Sequence, residues 1–530
     1  MVAINDDICL RYPIGTRIKI GINSGTVRYI GEVCGYKGTW LGIEWDDSTR
    51  GKHNGVVSGK HYFDTMHPTA GSFIRPDKLR PFESLETAAR ERYLVDSEKS
   101  LDQQLIREAQ ESLQASLFEV VGLEKLARKQ SKFEQLTEIS VAGSPVNSAG
   151  YLIEFTALTT INLSHTLIWN WQTIADMCRQ VSTLENLNLS CNRFTAPTDA
   201  QTAELSSAFD NLQLINLRNC NFTNWLEIVQ TARLWPHITS IGLQENPINE
   251  INILNTKDVF KNLRELDLHR TKITDFGQIC KLGNLKTLVS LNLMENGIKE
   301  VKLPDCEPNT KLDIFISLEQ LNLLYNPIRN ETDAFNELDK LPRLKRLSKT
   351  PHLKSNFGKM LVKAVGLISG LEMVNRAEIS PEERRGAQYD IWKKYALEWL
   401  QASKSQETLK EFYKKHRSYA LLIRKYDSPV DFVPRAYEKV SNLIKIRILN
   451  EKTGEMWDKK FPRMITVQTL LGLLIKRFDL DCLTMTPKLS YSDSRNPELV
   501  VPLDNLSKTL DFYSVQENDI VQGRTNKQIA

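Results

Sequence analysis

Leu184-Glu-Asn-Leu-Asn-Leu-Ser-Cys-Asn192 places leucines at spacings of three and two, with an asparagine three residues beyond the last. The same frame returns as Leu158/Ile161/Leu163/Thr166, Leu212/Ile215/Leu217/Cys220 and Ile238/Ile241/Leu243/Asn246. It continues as Leu263/Leu266/Leu268/Thr271, Leu288/Leu291/Leu293/Asn296 and Leu318/Leu321/Leu323/Asn326. A degenerate copy opens the series (Leu136/Ile139/Val141/Ser144) and a partial one closes it at Leu344/Leu347. Successive starts lie 22, 26, 28, 26, 25, 25, 30 and 26 residues apart. Units of this length bury their apolar side chains only against their neighbours, so the series predicts a stacked array.

The frame and its period are those of leucine-rich repeats, which implies a curved solenoid over residues 136–350. Strand geometry then sends the leucines inward and the residues between them outward. One outward column is Asn162, Asn188, Asn216, Gly242, Asp267, Asn292 and Asn322. The next is Ser164, Ser190, Arg218, Gln244, His269, Met294 and Leu324, with Tyr325 beside its end. A polar face with an apolar end suits a folded protein surface better than a small molecule. Asn188, Asn216, Arg218, Asp267, His269, Asn292, Asn322 and Tyr325 are therefore the candidate contacts; the alternative is a solvated face with no ligand. Asn192, Asn246, Asn296 and Asn326 sit where each unit turns, and are expected to bond backbone amides.

Upstream, residues 25–81 read GTVRYIGEVCGYKGTWLGIEWDDSTRGKHNGVVSGKHYFDTMHPTAGSFIRPDKLRP. Short β runs (Thr26–Ile30, Leu41–Trp45, His61–Phe63) alternate with glycine-marked turns. Gly51-Lys52-His53-Asn54-Gly55 predicts a tight loop with a polar tip, because glycine alone takes positive φ freely. Trp40, Trp45, Tyr62, Phe63 and Phe73 surround it in the sequence. Over residues 15–81 ten lysines and arginines face six acids, which favours a carboxylate-rich partner. The stretch resembles a CAP-Gly domain, through G-x-V-R-Y-x-G, W-L-G-I-E-W-D, the glycine loop, Tyr62-Phe63 and G-S-F-I-R. The resemblance implies a small β-barrel over residues 1–81 that grips acidic, aromatic-ended tails, with Trp40, Trp45, Lys52, His53, Asn54, Tyr62, Phe63 and Phe73 as ligand contacts. His53 and Asn54 depart from the usual Asn-Asp of that loop. For Trp45 and Phe73 a place in the core is an equal reading.

Residues 82–135 carry apolar positions at helical spacing (Leu85, Ala89, Leu101, Leu105, Ala109, Leu113, Leu117) and predict a helical linker and cap. Their heptads are too short and irregular for a coiled-coil dimer, so the chain reads as a monomer. Residues 351–441 predict a helical C-terminal cap. Ser380-Pro-Glu-Glu383 starts a helix, and Tyr389, Trp392, Tyr395, Trp399, Phe412, Tyr413 and Tyr419 read as packing. Residues 442–530 order a hairpin (Leu443–Leu449, Met456–Phe461), an apolar helix (Val467–Phe478) and a strand (Lys488–Ser492). That order resembles a ubiquitin-like β-grasp domain. With no terminal Gly-Gly it is expected to dock rather than be conjugated.

A net charge of +4 from 69 basic and 65 acidic residues gives no argument for nucleic acid. The nearest approach to a long apolar run, Met360–Val374, is broken by Lys363 and Glu372, so no membrane span is predicted. The start MVAINDDICLRYP lacks the features of a secretory signal, and the eight cysteines stand singly. Reduced thiols in a cytoplasmic protein are expected. Gly59-Lys60 is followed by His61, so no phosphate-binding loop forms, and no zinc-protease, nucleophile-elbow or metal-spaced motif occurs. Asp46-Asp47 read as a turn. The expectation is binding without catalysis, cofactor or metal.

The fold class is thus multidomain α+β, and the order of its modules resembles the tubulin-folding cofactors. That resemblance implies a cytoplasmic, cytoskeleton-associated chaperone that holds α-tubulin. It implies partnership with tubulin cofactors B, C and D in assembling or dissociating α/β-tubulin heterodimers. It leaves the ubiquitin-like domain to recruit another cofactor or the proteasome. Two rivals remain open from the sequence: a microtubule plus-end adaptor and a ubiquitin-pathway adaptor that delivers a substrate.

Overall fold

The rows of leucines become rows of three-residue parallel strands in the computed structural model. It describes residues 6–93, 133–252, 256–308, 310–352, 356–429, 443–451, 453–478, 485–493 and 496–527. The chain divides into two units, Met1–Ile298 with Ile314–Asn326, and Lys299–Asp313 with Pro327–Ala530. In the first unit, Glu138–Ser140, Thr160–Asn162, Asn186–Asn188, Leu214–Asn216, Ser240–Gly242, Glu265–Asp267, Ser290–Asn292 and Gln320–Asn322 pair in sequence order. Their registers align Ile139, Ile161, Leu187, Ile215, Ile241, Leu266, Leu291 and Leu321 in one row, each at most 3% exposed. Burying such side chains contributes about 1.5–3 kcal/mol apiece, and each does so only against the units on either side.

The turn asparagines are the polar counterpart of that row. Asn246 Nδ2 donates to the carbonyls of Leu217 (2.8 Å) and Leu243 (2.9 Å), and its Oδ1 accepts the N–H groups of Cys220 and Phe222, both at 3.0 Å. Asn326 repeats the pattern with Leu293, Leu323, Asn296 and Ile298. Asn192 and Asn296 donate to the carbonyls of Leu163 and Leu268. The buried backbone groups at the turns thereby find partners, which burial demands. In each unit the residue before this turn position is left-handed: His165, Cys191, Asn219, Glu245, Arg270, Glu295 and Tyr325 have φ of +55, +60, +51, +58, +54, +54 and +56°.

The N-terminal module is a sheet of β1 (Arg17–Ile20), β2 (Asn23–Val33), β3 (Tyr36–Trp45) and β6 (Gly71–Ile74), with a separate hairpin of β4 (Val56–Val57) and β5 (Lys60–His61). The expected strand His61–Phe63 is thus shorter and earlier, and Tyr62 and Phe63 leave it. Tyr12, Ile18, Val27, Leu41, Ile43 and Trp45 form the core. Buried Arg17 meets Asp46, with Nη1 2.7 Å from Oδ1. Asp47 accepts from the N–H and hydroxyl of Thr49, closing the turn.

This module is fixed directly to the repeats. Strand Glu83–Ser84 pairs in parallel with Val146–Ser148. Lys19 Nζ donates to the Gly143 carbonyl at 2.9 Å, and Tyr93 on helix α2 (Leu85–Tyr93), which follows α1 (Asp6–Arg11), accepts the Ser140 N–H at 2.8 Å. Arg90 bridges to Glu154 at 2.9 Å. Of the predicted helical linker, Leu85 and Ala89 lie in α2; Leu101, Leu105, Ala109, Leu113 and Leu117 fall outside the described residues.

In the second unit, Arg346–Ser348 pairs with Met373–Val374, which pairs with Ala377–Glu378. The longest repeat spacing is explained by the loop 299–313. Arg417, 4% exposed, donates to the carbonyls of Cys306 (3.1 Å), Glu307 (3.2 Å) and Thr310 (2.6 Å), and buried Lys340 reaches that of Pro304 at 3.3 Å. Helices α3 (Phe357–Leu367), α4 (Pro381–Lys394) and α5 (Tyr419–Tyr426) follow, α4 opening on a Ser380/Glu383 capping box. Tyr389, Trp392, Phe412 and Tyr419 are core. The C-terminal domain orders β7 (Leu443–Asn450), β8 (Met456–Pro462), β9 (Met485–Asp493), β10 (Asn496–Pro502) and β11 (Ile520–Lys527) as β8-β7-β11-β9-β10, with helix α6 (Val467–Phe478) on one face. First and last strands are parallel and central, the β-grasp arrangement. The domain meets the cap where Tyr389 donates to Asp493 at 2.7 Å and Lys393 lies 3.4 Å from the same carboxylate.

Candidate functional site

The glycine loop is locked by backbone contacts that side chains would block. Lys52 N–H donates to the Gly71 carbonyl at 2.7 Å, and Gly71 N–H returns a bond to the His53 carbonyl at 2.7 Å. A Cβ on Gly51 would lie 2.4 Å from the Thr69 carbonyl oxygen, so two backbones cross where only hydrogen fits. His53 Nδ1 accepts the Gly55 N–H at 3.0 Å, and Asn54 Oδ1 accepts that of Val56 at 3.3 Å. Both side chains therefore hold the loop's shape. Burial keeps the His53 pKa below its ordinary value, and with Nδ1 an acceptor the neutral ring carries its proton on Nε2.

Beside the loop the aromatics separate into three groups. Tyr62, Phe63, Phe73 and His53 are brought together, with Phe73 5.3 Å from Tyr62, 5.5 Å from Phe63 and 5.3 Å from His53 between ring centroids. Tyr29, which the sequence reading passed over, joins them at 5.3 Å from Tyr62 and 6.0 Å from Phe73. The register explains it: Tyr29 lies opposite Gly42, and Gly42 opposite Phe73. Lacking a side chain, Gly42 leaves room for Phe63, whose ring would be 2.5 Å from a Cβ there. Phe63 is the buried floor, while Tyr29, Tyr62 and Phe73 are half-buried walls. Trp40 stands apart, under the Arg75 guanidinium at 4.1 Å and 5.8 Å from Tyr36. Trp45 does not reach the groove: it is 3% exposed in the core, with Arg50 at 4.9 Å over its ring.

Cations complete the groove. Lys52 and Asn54 are exposed at the loop tip, Lys60 lies 5.2 Å over the Tyr62 ring, and Arg75 caps Trp40. Lys60 and Arg75 were also missed, although both flank quoted aromatics in the sequence. The arrangement can seat an aromatic ring on Tyr29, Tyr62 and Phe73 and pair carboxylates with the surrounding cations.

On the repeats, the polar column is partly self-satisfied. The side-chain oxygens of Asn162, Asn188, Asn216, Asp267, Asn292 and Asn322 each accept the N–H two residues on, at 3.0, 3.0, 3.0, 2.9, 3.2 and 3.0 Å. These side chains end their strands as well as facing solvent. Beside them runs an alternating ion ladder. Arg218 meets Glu245 at 2.7 Å, Glu245 meets Arg270 at 3.5 Å, and Arg270 meets Glu295 at 2.5 Å, with His269 3.9 Å from Glu295. The bond from Arg218 holds the Glu245 carboxyl below its ordinary range. Tyr325 continues this edge at 60% exposure, next to half-buried Met294 and Leu324.

A family model for the CAP-Gly domain matches residues 14–79. Tubulin-specific chaperone E of Drosophila melanogaster is 62% identical over 522 residues, covering 98% of this chain and 99% of its own. The chain belongs to the tubulin-specific chaperone E family. The family's mouse protein is 32% identical over 520 residues, covering 96% of this chain and 97% of its own. The solution structure of the C-terminal ubiquitin-like domain of mouse tubulin-specific chaperone E is 24% identical, covering 18% of this chain and 99% of that one at a TM-score of 0.16. In this tubulin-specific chaperone E family member the seven described cysteines are free thiols. Among the described residues no group of three or more His, Cys, Asp or Glu could hold a metal ion, and no helix is long and apolar enough to cross a membrane.

Proposed function

We propose that the chain is a cytoplasmic tubulin-folding cofactor in which the CAP-Gly groove takes the acidic C-terminal tail of α-tubulin and the repeat face holds its folded body. The observation that carries this reading is the direct anchoring of the groove to the repeats through Glu83–Ser84, Lys19, Arg90 and Tyr93. Two weak sites on one support raise each other's effective concentration when both can engage one client. Lys52, Lys60 and Arg75 suit the tail's carboxylates, and Tyr29, Tyr62 and Phe73 suit its terminal ring. Met294, Leu324 and exposed Tyr325 suit a protein surface, and Arg218, His269, Asn188 and Asn292 offer it polar contacts. Cofactors B, C and D act with the chain in assembling or dissociating the α/β heterodimer, and the ubiquitin-like domain recruits one of them or the proteasome. The binding mechanism requires no catalysis.

Purified chain mixed with tubulin, with and without cofactor D, tests this by the amount of intact dimer remaining. A change in dimer that needs both proteins supports the reading. Unchanged dimer, with the chain pelleting on polymerised microtubules instead, would favour a lattice adaptor.

A further inference from the structure

A cleft of about 990 Å³ lies within the second unit, between the helical cap and the C-terminal domain. Phe357, Leu361 and Val365 of α3 form one wall, and Val501 and Phe512 of the C-terminal domain form another. At its edges Phe357 is 42% and Leu506 46% exposed. The volume stands at the upper end of ligand sites, which run to about 1,000 Å³.

Its charge is lopsided. Glu382, Glu383, Asp390 and Asp504 line it against the single ammonium of Lys508, which itself lies 4.8 Å over the Phe512 ring. Glu383 is engaged in capping Ser380, and Asp504 accepts from the Tyr513 hydroxyl at 2.9 Å. Asp390 is the deep one. Burial pushes its carboxyl up to about 6 although Ser514 bonds to it and Lys393 stands near, so its charge is incompletely compensated. On the preceding turn of α4, a Cβ built on Gly386 meets nothing within 4 Å. Glycine inside a helix costs about 1 kcal/mol relative to alanine, and here it leaves the cleft open.

We infer that this cleft docks a short segment of a partner protein bearing apolar side chains and a lysine or arginine, the cation meeting Asp390 while the apolar groups cover Phe357 and Phe512. Charge complementarity selects that occupant: an acidic segment would set like charges against Glu382, Asp390 and Asp504. The cleft therefore chooses the opposite charge class from the CAP-Gly groove, and the two ends of the chain recruit different partners.

Random short peptides displayed on phage and selected against the full chain test the inference, with Gly386→Trp filling the cleft and Asp390→Asn removing its charge. Selected peptides should combine apolar residues with Lys or Arg and lose about tenfold in affinity on either variant, or about 1.4 kcal/mol. Thermal melting, together with undiminished binding of an acidic peptide at the N-terminal groove, checks that both variants fold. Should Gly386→Trp fail to fold, Asp390→Asn alone decides. Acidic sequences are expected at the N-terminal groove; selection that yields nothing beyond them, or only sequences indifferent to the folded variants, overturns the proposal.

Discussion

Gly55 and Phe63 approach so closely that a Cβ on the glycine would fall 1.6 Å from the Phe63 carbonyl oxygen, and Gly55 has a φ of +92°. The loop that carries Lys52 and the floor of the aromatic groove are thus one packed unit. Gly55→Ala is expected to destabilise the N-terminal module by about 2 kcal/mol or more, from the clash and the left-handed backbone together. A lower melting transition accompanied by loss of acidic-peptide binding would bear this out; an unshifted melt would contradict the close packing.

Lys52→Glu acts differently, because its side chain is exposed and its loss leaves the loop bonds in place. Affinity for an acidic, aromatic-ended peptide should fall roughly fivefold to tenfold at low ionic strength, and by less as salt screens the contact. Calorimetric titration at two salt concentrations measures it. An unchanged affinity with the fold intact would remove Lys52 from tail capture.

Two asparagine substitutions should separate structure from surface. Asn246→Ala deletes four buried bonds to backbone groups and is expected to cost about 2–4 kcal/mol. Asn292→Ala removes one half-exposed bond to Met294 N–H and should cost less than about 1 kcal/mol. Denaturant unfolding of the two variants reads the difference; equal costs would mean that the outward column is as structural as the turn row.

The pH dependence of the second unit should carry the mark of Asp390. Its folded-state pKa, about 6, is raised above the ordinary 3.8, so the fold favours the protonated form. Its contribution is complete below pH 3.8 and is lost as pH rises through 6. Asp390→Asn should therefore stabilise this unit by up to about 3 kcal/mol at neutral pH and be nearly neutral below the lower value. Melting curves across that window decide it, and a destabilising substitution at neutral pH would refute the assignment.

The repeats were legible because each buried leucine has a fixed offset and no alternative partner. The glycine loop was legible because its residues are dictated by backbone crossing. Tyr29 was not, since its place depends on a register irregularity between Val27 and Tyr29 that period-two counting cannot anticipate. Trp45 was ambiguous because a tryptophan after a β run serves equally as core or wall, and only the packing of Tyr12 and Ile18 around it decides. The outward asparagines looked free because the bond each makes is to its own strand end. The anchoring of Lys19 on Gly143 joins positions 124 apart, a distance over which no local pattern speaks.

The left-handed residue in each repeat has a consequence for protein engineering. A non-glycine residue in that conformation costs about 1–2 kcal/mol relative to what glycine would require. Glycine at Glu245, Arg270 or Tyr325 would relieve backbone strain while deleting the side chain displayed there, so thermostability and surface chemistry trade against each other along this one edge. At Glu245 and Arg270 the exchange also removes the ion pairs with Arg218 and Glu295, whereas at Tyr325 glycine relaxes the backbone and breaks no ion pair of that ladder.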